Sequence, residues 1–447
     1  MTRTIHKEIN LRDSIERRRL ENGLLVLLRE IHTAPIISQW VWYRVGSRNE
    51  QPGITGISHW TEHMQFKGTP RFPAGVPDRL IAREGGAWNA FTYLDWTTYY
   101  ERMPADKIDL ALELEADRMQ GSLFNEQDVE AERTVIIAER QGSENEPLFR
   151  LGEAMQASAF QVHPYRTDII GSMADLQSIQ REQLYQHYRT YYTPGNAVLT
   201  VAGDFDTETM FRRIQELYAP MPAKAVPAPA IPPEQPQTSE RQVIVEGPGE
   251  TTYLQAAYHA PEASHPDFWP FVLLDSLLSG PSSLNMFGGG ISNKTSRLYR
   301  TLIEGELAVH VHGGISATID PHLYAIQLTL RPDRSPAQAT QILEEEIDRL
   351  RQQAPKAEEL QRALKQARAL FAYGSESITN QAFWLGFSEM LDTVDWFTHY
   401  LARLEQVTPA DVQRVAQQYL CVPQRTLGIY QPTGEPIPPT LETEDEA

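Results

Sequence analysis

The chain has 447 residues, 41% apolar and 22% charged, the proportions of a water-soluble globular protein long enough to build two or more cores. Its formal net charge of −19 argues against a nucleic-acid-reading surface, which needs clustered Lys and Arg; it reads as a solvated acidic exterior that modestly favours basic peptides. A single cysteine, Cys421, excludes an intrachain disulfide and a cysteine-based zinc site, so any metal must be held by His and carboxylates.

Residues 1–19 are polar and charged and lack the apolar centre of a secretory signal. No later run approaches the roughly 20 apolar residues that cross a bilayer, so no membrane partner is expected and the chain reads as cytoplasmic. Residues 24–28 and 36–43 are rich in Leu, Val and Ile with turn residues between them, and predict paired strands leading into a helix. That helix carries His59-Trp60-Thr61-Glu62-His63. Histidines four residues apart share a helical face, and the carboxylate lies beside them, which suits a zinc ion and a water-activating base. Thr55 or Ser58 is placed to cap the helix, Ile54, Ile57, Trp60 and Met64 form its apolar stripe, and Gly68 and Pro70 stop it. The motif reverses the commoner His-Glu-x-x-His order. Five residues alone fit a pair of core histidines equally well, so the surroundings decide.

Residues 78–83 read as a helix, Gly85-Gly86 as a turn, and residues 87–102 as a strand-rich run with Phe91, Thr92, Tyr93, Thr97, Thr98, Tyr99 and Tyr100. Helices are predicted at 105–119, 126–139 and 181–191, and a strand at 197–203. The prolines from Pro220 to Pro236 read as an extended linker, placing a domain boundary at 221–240 between domains at 1–220 and 241–432. The second half repeats the order of the first: strand at 253–259, helix at 268–278, strands at 308–314 and 322–330, helices at 337–353 and 356–373, then a helix after Val407-Thr408-Pro409 and a strand at 426–430. It has Pro270-Phe271-Val272-Leu273-Leu274 where the metal pentapeptide stands in the first copy, so its role is structural and substrate-enclosing. Residues 433–447 read as a disordered acidic tail.

Around the pentapeptide the chain resembles the M16 family of zinc peptidases, the inverzincins, in their M16B-like form. The resemblance is carried by Phe66-Lys67-Gly68-Thr69, by Gly85-Gly86-Ala87-Trp88-Asn89-Ala90-Phe91-Thr92, and by Glu132 and Glu139. It continues through His163-Pro164-Tyr165, Ile170-Gly171, Tyr191-Tyr192-Thr193-Pro194-Gly195-Asn196-Ala197 and Val201-Ala202-Gly203-Asp204. It implies an α+β chain of two homologous α/β domains, each an antiparallel-rich sheet packed with helices, the M16/LuxS-like metallohydrolase fold. It also implies a zinc endopeptidase that cuts unfolded or short peptides inside a two-chain chamber.

Zinc in a hydrolase takes three protein ligands and leaves a place for water. His59 and His63 supply two, and the family spacing points to Glu139 as the third, with Glu132 two helical turns before it on the same face as a supporting carboxylate. Solvent-facing acids are the alternative reading of both. Glu62 is the general base rather than a ligand, taking a proton from water and returning it to the leaving amine. Asn89, Ala90, Phe91 and Thr92 resemble the family's edge strand, along which the substrate lies as an added strand; a cap on the turn after Gly86 is the alternative reading of Asn89.

One departure stands out. Many M16 sites are completed by an Arg and a Tyr seven residues apart, after a Ser-Arg-Leu segment matched here by Ser296-Arg297-Leu298. Counting on places Ile303 and His310 at those positions. The expectation is therefore a heterodimer whose homologous partner supplies the pair. A homodimer in which His310 substitutes for the Tyr is the alternative. The Gly288-Gly289-Gly290 run reads as a flap or a turn. The rival class is a non-catalytic assembly subunit of M16 descent, and retention of His59, Glu62, His63 and Glu139 argues against it.

Overall fold

The computed structural model describes residues 15–285 and 290–438. The expected acidic tail and Gly288-Gly289 fall largely or wholly outside that range. In chain order the first half contains β1 (Glu16–Arg19), β2 (Leu25–Glu30), β3 (Ile36–Tyr43), α1 (Ile57–Met64), α2 (Val76–Arg83), β4 (Ala87–Thr92) and β5 (Thr97–Pro104). It continues with α3 (Ile108–Gly121), α4 (Glu126–Glu144), α5 (Pro147–Ala159), α6 (Met173–Ser178), α7 (Arg181–Tyr191), β6 (Ala197–Gly203) and α8 (Thr207–Tyr218). The second half contains β7 (Arg241–Gly247), β8 (Tyr253–Ala260), α9 (Phe268–Leu278), β9 (Ala308–Ile315), β10 (His322–Leu330), α10 (Pro336–Gln352) and α11 (Ala357–Tyr373). It closes with α12 (Ile378–Leu391), α13 (Asp395–Thr398), α14 (Tyr400–Glu405), α15 (Pro409–Tyr419) and β11 (Arg425–Pro432).

Among the described residues these strands form two sheets, ordered β1-β2-β6-β3-β5-β4 and β7-β11-β8-β10-β9. From β2 and β7 onward the two orders are the same. In each, the last strand of the half runs parallel to the first of the shared set and antiparallel to the next, so both halves are α+β units of one topology. The expected pairing of residues 24–28 with 36–43 does not occur, because β6 lies between β2 and β3 and bonds to both. Strand order depends on a segment more than 150 residues away, which no local pattern encodes.

β3 explains the tight layering. Ile37, Val41 and Tyr43 enter one core with Ile57, Trp60 and Met64 of α1, whereas Trp40 and Trp42 enter another. A strand buried on both faces is largely apolar; the two polar residues of β3 are buried and hydrogen-bonded, Ser38 Oγ accepting from Trp40 Nε1 and Gln39 donating to the Ala111 carbonyl. The second face is covered by α12 from the far half: Phe383 meets the rings of both tryptophans, and Thr200 on β6 donates to the Ala382 carbonyl at 2.9 Å. Gly386 lets α12 approach, since a Cβ there would stand 1.9 Å from Trp42 Nε1. The arrangement is reciprocal. α5 from the first half lies on β7, β8 and β11, and a Cβ at Gly428 would stand 2.4 Å from Met155 Sδ. Each sheet is thus closed by a helix from the other half, and α5 and α12 were not anticipated from the sequence.

Residues 219–240 contain no helix or strand. The proline strap is pinned rather than loose: Glu234 accepts from the backbone N–H groups of Gln161, Val162 and His163, and Gln237 donates to the Arg425 carbonyl at 2.6 Å. The halves are also joined by polar contacts. Asp320 takes hydrogen bonds from Arg48 and His163, and Asp95 from Tyr165 and from the Ile319 N–H. No helix among the described residues is long and apolar enough to cross a membrane.

Candidate metal centre

α1 begins at Gly56, in the left-handed region at φ 87°, and its backbone is pressed against Ile170, whose carbonyl oxygen would be 2.3 Å from a Cβ. Neither expected residue caps this helix. Ser58 lies inside it, and Thr55 is turned to Asp175, donating to it through both N–H and hydroxyl. The free N–H groups of the first turn go instead to Glu50, whose carboxylate accepts from Gly56 at 2.7 Å and Ser58 at 2.9 Å. Glu50 stands outside the helix in sequence, so no capping pattern reveals it. The helix ends at Met64, before Gly68 and Pro70, while Ile57, Trp60 and Met64 are buried as expected of its stripe.

This anchored turn projects His59 and His63 together, with their Nε2 atoms 3.3 Å apart. Glu139 from α4 brings a carboxylate oxygen to 3.7 Å from His63 Nε2, and the three donor atoms lie within 4.8 Å of one another. On the same α4 face Glu132 accepts from His63 Nδ1 at 2.7 Å and pairs with Lys67 through its other oxygen. The His63 Nδ1–H is thereby spoken for, and its Nε2 is aimed at the cluster.

The donor set fits zinc. Two imidazole nitrogens and a carboxylate, one imidazole oriented by a second carboxylate, are the ligand types of a catalytic zinc site. Zinc–nitrogen bonds of about 2.0–2.1 Å at a tetrahedral angle separate two nitrogens by roughly 3.3–3.4 Å, the spacing of the two Nε2 atoms here.

Charge follows the same geometry. Burial, with His63 alongside, pushes the His59 imidazole down to about 3. Burial would lower His63 too, but the hydrogen bond to Glu132 and the charges of Glu139 and Glu62 hold it above the ordinary histidine range. Glu132 sits below the ordinary carboxylate range: burial opposes this, and its bonds to His63 and Lys67 prevail. Glu62 is buried, which raises its carboxyl, and it accepts from Thr92 Oγ1 at 2.5 Å. It is outside the donor triplet, and the charges of His63 and Glu139 act on it.

The four β4 residues divide by face. Thr92 holds Glu62, and Ala90 is buried on the same side. Phe91 stacks on Tyr100 on the opposite side, and the Asn89 carboxamide accepts from the next N–H, that of Ala90, at 2.8 Å. β4 is the outer strand of its sheet, as an added peptide strand requires. Ile303 ends a π-helical turn, Tyr299–Ile303, and His310 is exposed on β9, the outer strand of the second sheet. Glu50, Asp175 and Lys67 are the supports that sequence reasoning missed; only Lys67 stood within a stretch already singled out.

Comparison with known proteins agrees with this arrangement. Residues 25–172 match the family described as insulinase, peptidase family M16, and residues 178–367 match the peptidase M16 inactive domain. The chain is 27% identical over 431 residues to an uncharacterized zinc protease of Streptomyces coelicolor, covering 94% of this chain and 90% of that one. It is 26% identical over 409 residues to a probable mitochondrial-processing peptidase subunit beta of Arabidopsis thaliana, covering 90% and 75%. The crystal structure of a protease from Helicobacter pylori superposes with a TM-score of 0.86 at 26% identity, covering 94% of this chain and 99% of that one. The histidine pair and its carboxylates lie in the insulinase-matching half, the second repeat falls largely in the inactive-domain match, and with both halves of one family in their order the chain belongs to peptidase family M16.

Proposed function

We propose that the chain is a zinc-dependent endopeptidase that hydrolyses unfolded or short peptides, the zinc-bearing subunit of a two-chain chamber. The observation that carries this reading is the convergence of His59, His63 and Glu139 beside a buried, unligated Glu62. Zinc held by those three would polarise the scissile carbonyl and make water easier to ionise. Glu62, kept in place by Thr92, takes the proton from the attacking water and passes it to the departing amine, a role that burial suits by raising its affinity for the proton. Glu132 orients His63, and residues 89–92 present main-chain groups to an extended peptide. Residues 1–220 form the catalytic unit and 241–432 its enclosing repeat, with 221–240 as the connecting strap.

Ile303 and His310 stand where the family's Arg and Tyr are expected, which supports a homologous companion chain that supplies the pair. The test is zinc content together with cleavage of a quenched fluorescent peptide library, by wild type and Glu62→Gln, alone and with a candidate companion. One zinc per chain, with cleavage by the wild type only in the companion's presence, is the expected result. Efficient cleavage by the chain alone removes the heterodimer, and absence of both zinc and cleavage in every pairing leaves an assembly subunit.

A further inference from the structure

β4 runs from the proposed reaction centre to a second recess. At one end Thr92 hydrogen-bonds Glu62; at the other, Ala87 borders a concave pocket of about 320 Å³. The other walls are Tyr100 and Arg102 of β5 and Ser377, Thr379 and Asn380 at the start of α12. Ala87 pairs with Arg102 and Asn89 with Tyr100, so these side chains share one face of the sheet, opposite to that of Thr92.

Every polar group lining this recess can donate a hydrogen bond, and no carboxylate lines it. Arg102 is exposed, and its guanidinium forms no ion pair or hydrogen bond among the described residues. That is notable in a chain of net charge −19. Asn380 is only 8% exposed, and while its N–H goes to Ser377 Oγ, its carboxamide has no hydrogen-bond partner among the described residues. The carboxamide opens onto the recess, where its N–H groups can donate to a ligand. The N–H groups of Ile378 and Thr379 belong to the first turn of α12, where no intrahelical acceptor exists, and the helix dipole adds partial positive charge.

We infer that this pocket binds a carboxylate of the peptide substrate, an Asp or Glu side chain or the terminal carboxylate, several residues from the bond that is cut. The inference rests on the peptidase reading above. A peptide added to the free edge of β4 sends alternate side chains to the Ala87–Arg102 face. From Thr92 to Ala87 is five residues, about 17 Å at roughly 3.3 Å per residue, so the carboxylate lies about five residues from the reacting carbonyl.

The test uses neutral quenched peptides carrying Glu or Gln at each position within six residues of the cut, each with a free or an amidated C-terminus. Cleavage is measured with wild type, Arg102→Gln and Arg102→Lys, and binding by fluorescence anisotropy on Glu62→Gln with and without Arg102→Gln. Wild type is expected to prefer Glu over Gln at one position, or the free over the amidated terminus, by about tenfold, the effect of one charge-assisted contact. The two arms distinguish side chain from terminus. The ratio should fall to near one in Arg102→Gln and be largely kept in Arg102→Lys. No acid preference in wild type, or a preference that survives Arg102→Gln, overturns the inference while leaving the peptidase standing. If nothing is cleaved, an Arg102-dependent anisotropy preference keeps the carboxylate pocket and removes the peptidase; equal binding of acidic and neutral peptides removes the pocket as well.

Discussion

The two halves share a strand order, yet the helix that follows the central strand differs completely between them. After β3, α1 is eight residues long and carries His59, Glu62 and His63 at the edge of its core. After β8, α9 is eleven residues long, all of them buried, with Phe271, Leu273 and Leu274 fully enclosed. A helix buried all round can only pack. One fold thus carries a candidate metal centre in one copy and a wholly buried helix in the other, and the difference is how much of one short helix is surrendered to the core.

The supports differ in kind as well. Around α1 they are polar and come from outside the helix: Glu50, six residues before Gly56, and Asp175 at its start, Glu132 and Glu139 beside its end. Around α9 aromatic packing is added, with Trp269 and Phe268 against Trp396, while Asp267 at its start takes hydrogen bonds from Arg414 and Tyr419.

The largest effect expected within this contrast comes from the copy that carries the histidine pair. Glu62→Gln should lower peptide hydrolysis by about 10²–10⁴-fold, the usual worth of a general base, with zinc content by elemental analysis unchanged. A comparable loss is expected in the shared layer, where the halves depend on each other. Trp42→Ala removes a fully buried indole facing α12 and should cost about 3–5 kcal/mol in denaturant unfolding. If each half folded as a separate unit with its own transition, that substitution would move only one of two transitions; a shift of the whole unfolding curve is expected.

Glu132→Gln should weaken zinc affinity by roughly 10–100-fold, since the carboxylate that orients His63 is lost; competition with a chelator measures it. Gly386→Ala, by forcing a methyl into Trp42, should destabilise by about 1–3 kcal/mol.

The smallest effect concerns the polar tie between the halves. Hydrogen bonds from His163 and Arg48 outweigh burial and hold Asp320 down to about 2. A carboxylate held below its unfolded value stabilises the fold above about pH 4, and that contribution is lost as pH falls toward 2. Because Asp320 is part exposed and solvent screens it, Asp320→Asn should cost about 1 kcal/mol at pH 7. Unfolding at pH 7 and pH 3 should show the gap between the two proteins narrowing at the lower pH.

The sequence by itself determined the elements whose partners are local and whose pattern is strong. α7, α9 and β6 lie where periodicity and apolar runs predict them, and the repeated element order was legible because each half spells it out in turn. The pentapeptide placed both histidines on one side of a helix because four-residue spacing fixes a helical face, and the surrounding motifs rather than those five residues made it a candidate metal helix. What the tertiary structure alone decided lies across sequence distance. β6 entered between β2 and β3, α5 and α12 exchanged halves, and Glu50 rather than Thr55 or Ser58 took the first N–H groups of α1. A helix that covers another half's sheet looks, from its own residues, like any apolar helix. A carboxylate that caps from outside carries no periodicity. In both cases the energy resides in a contact whose second member local sequence cannot name.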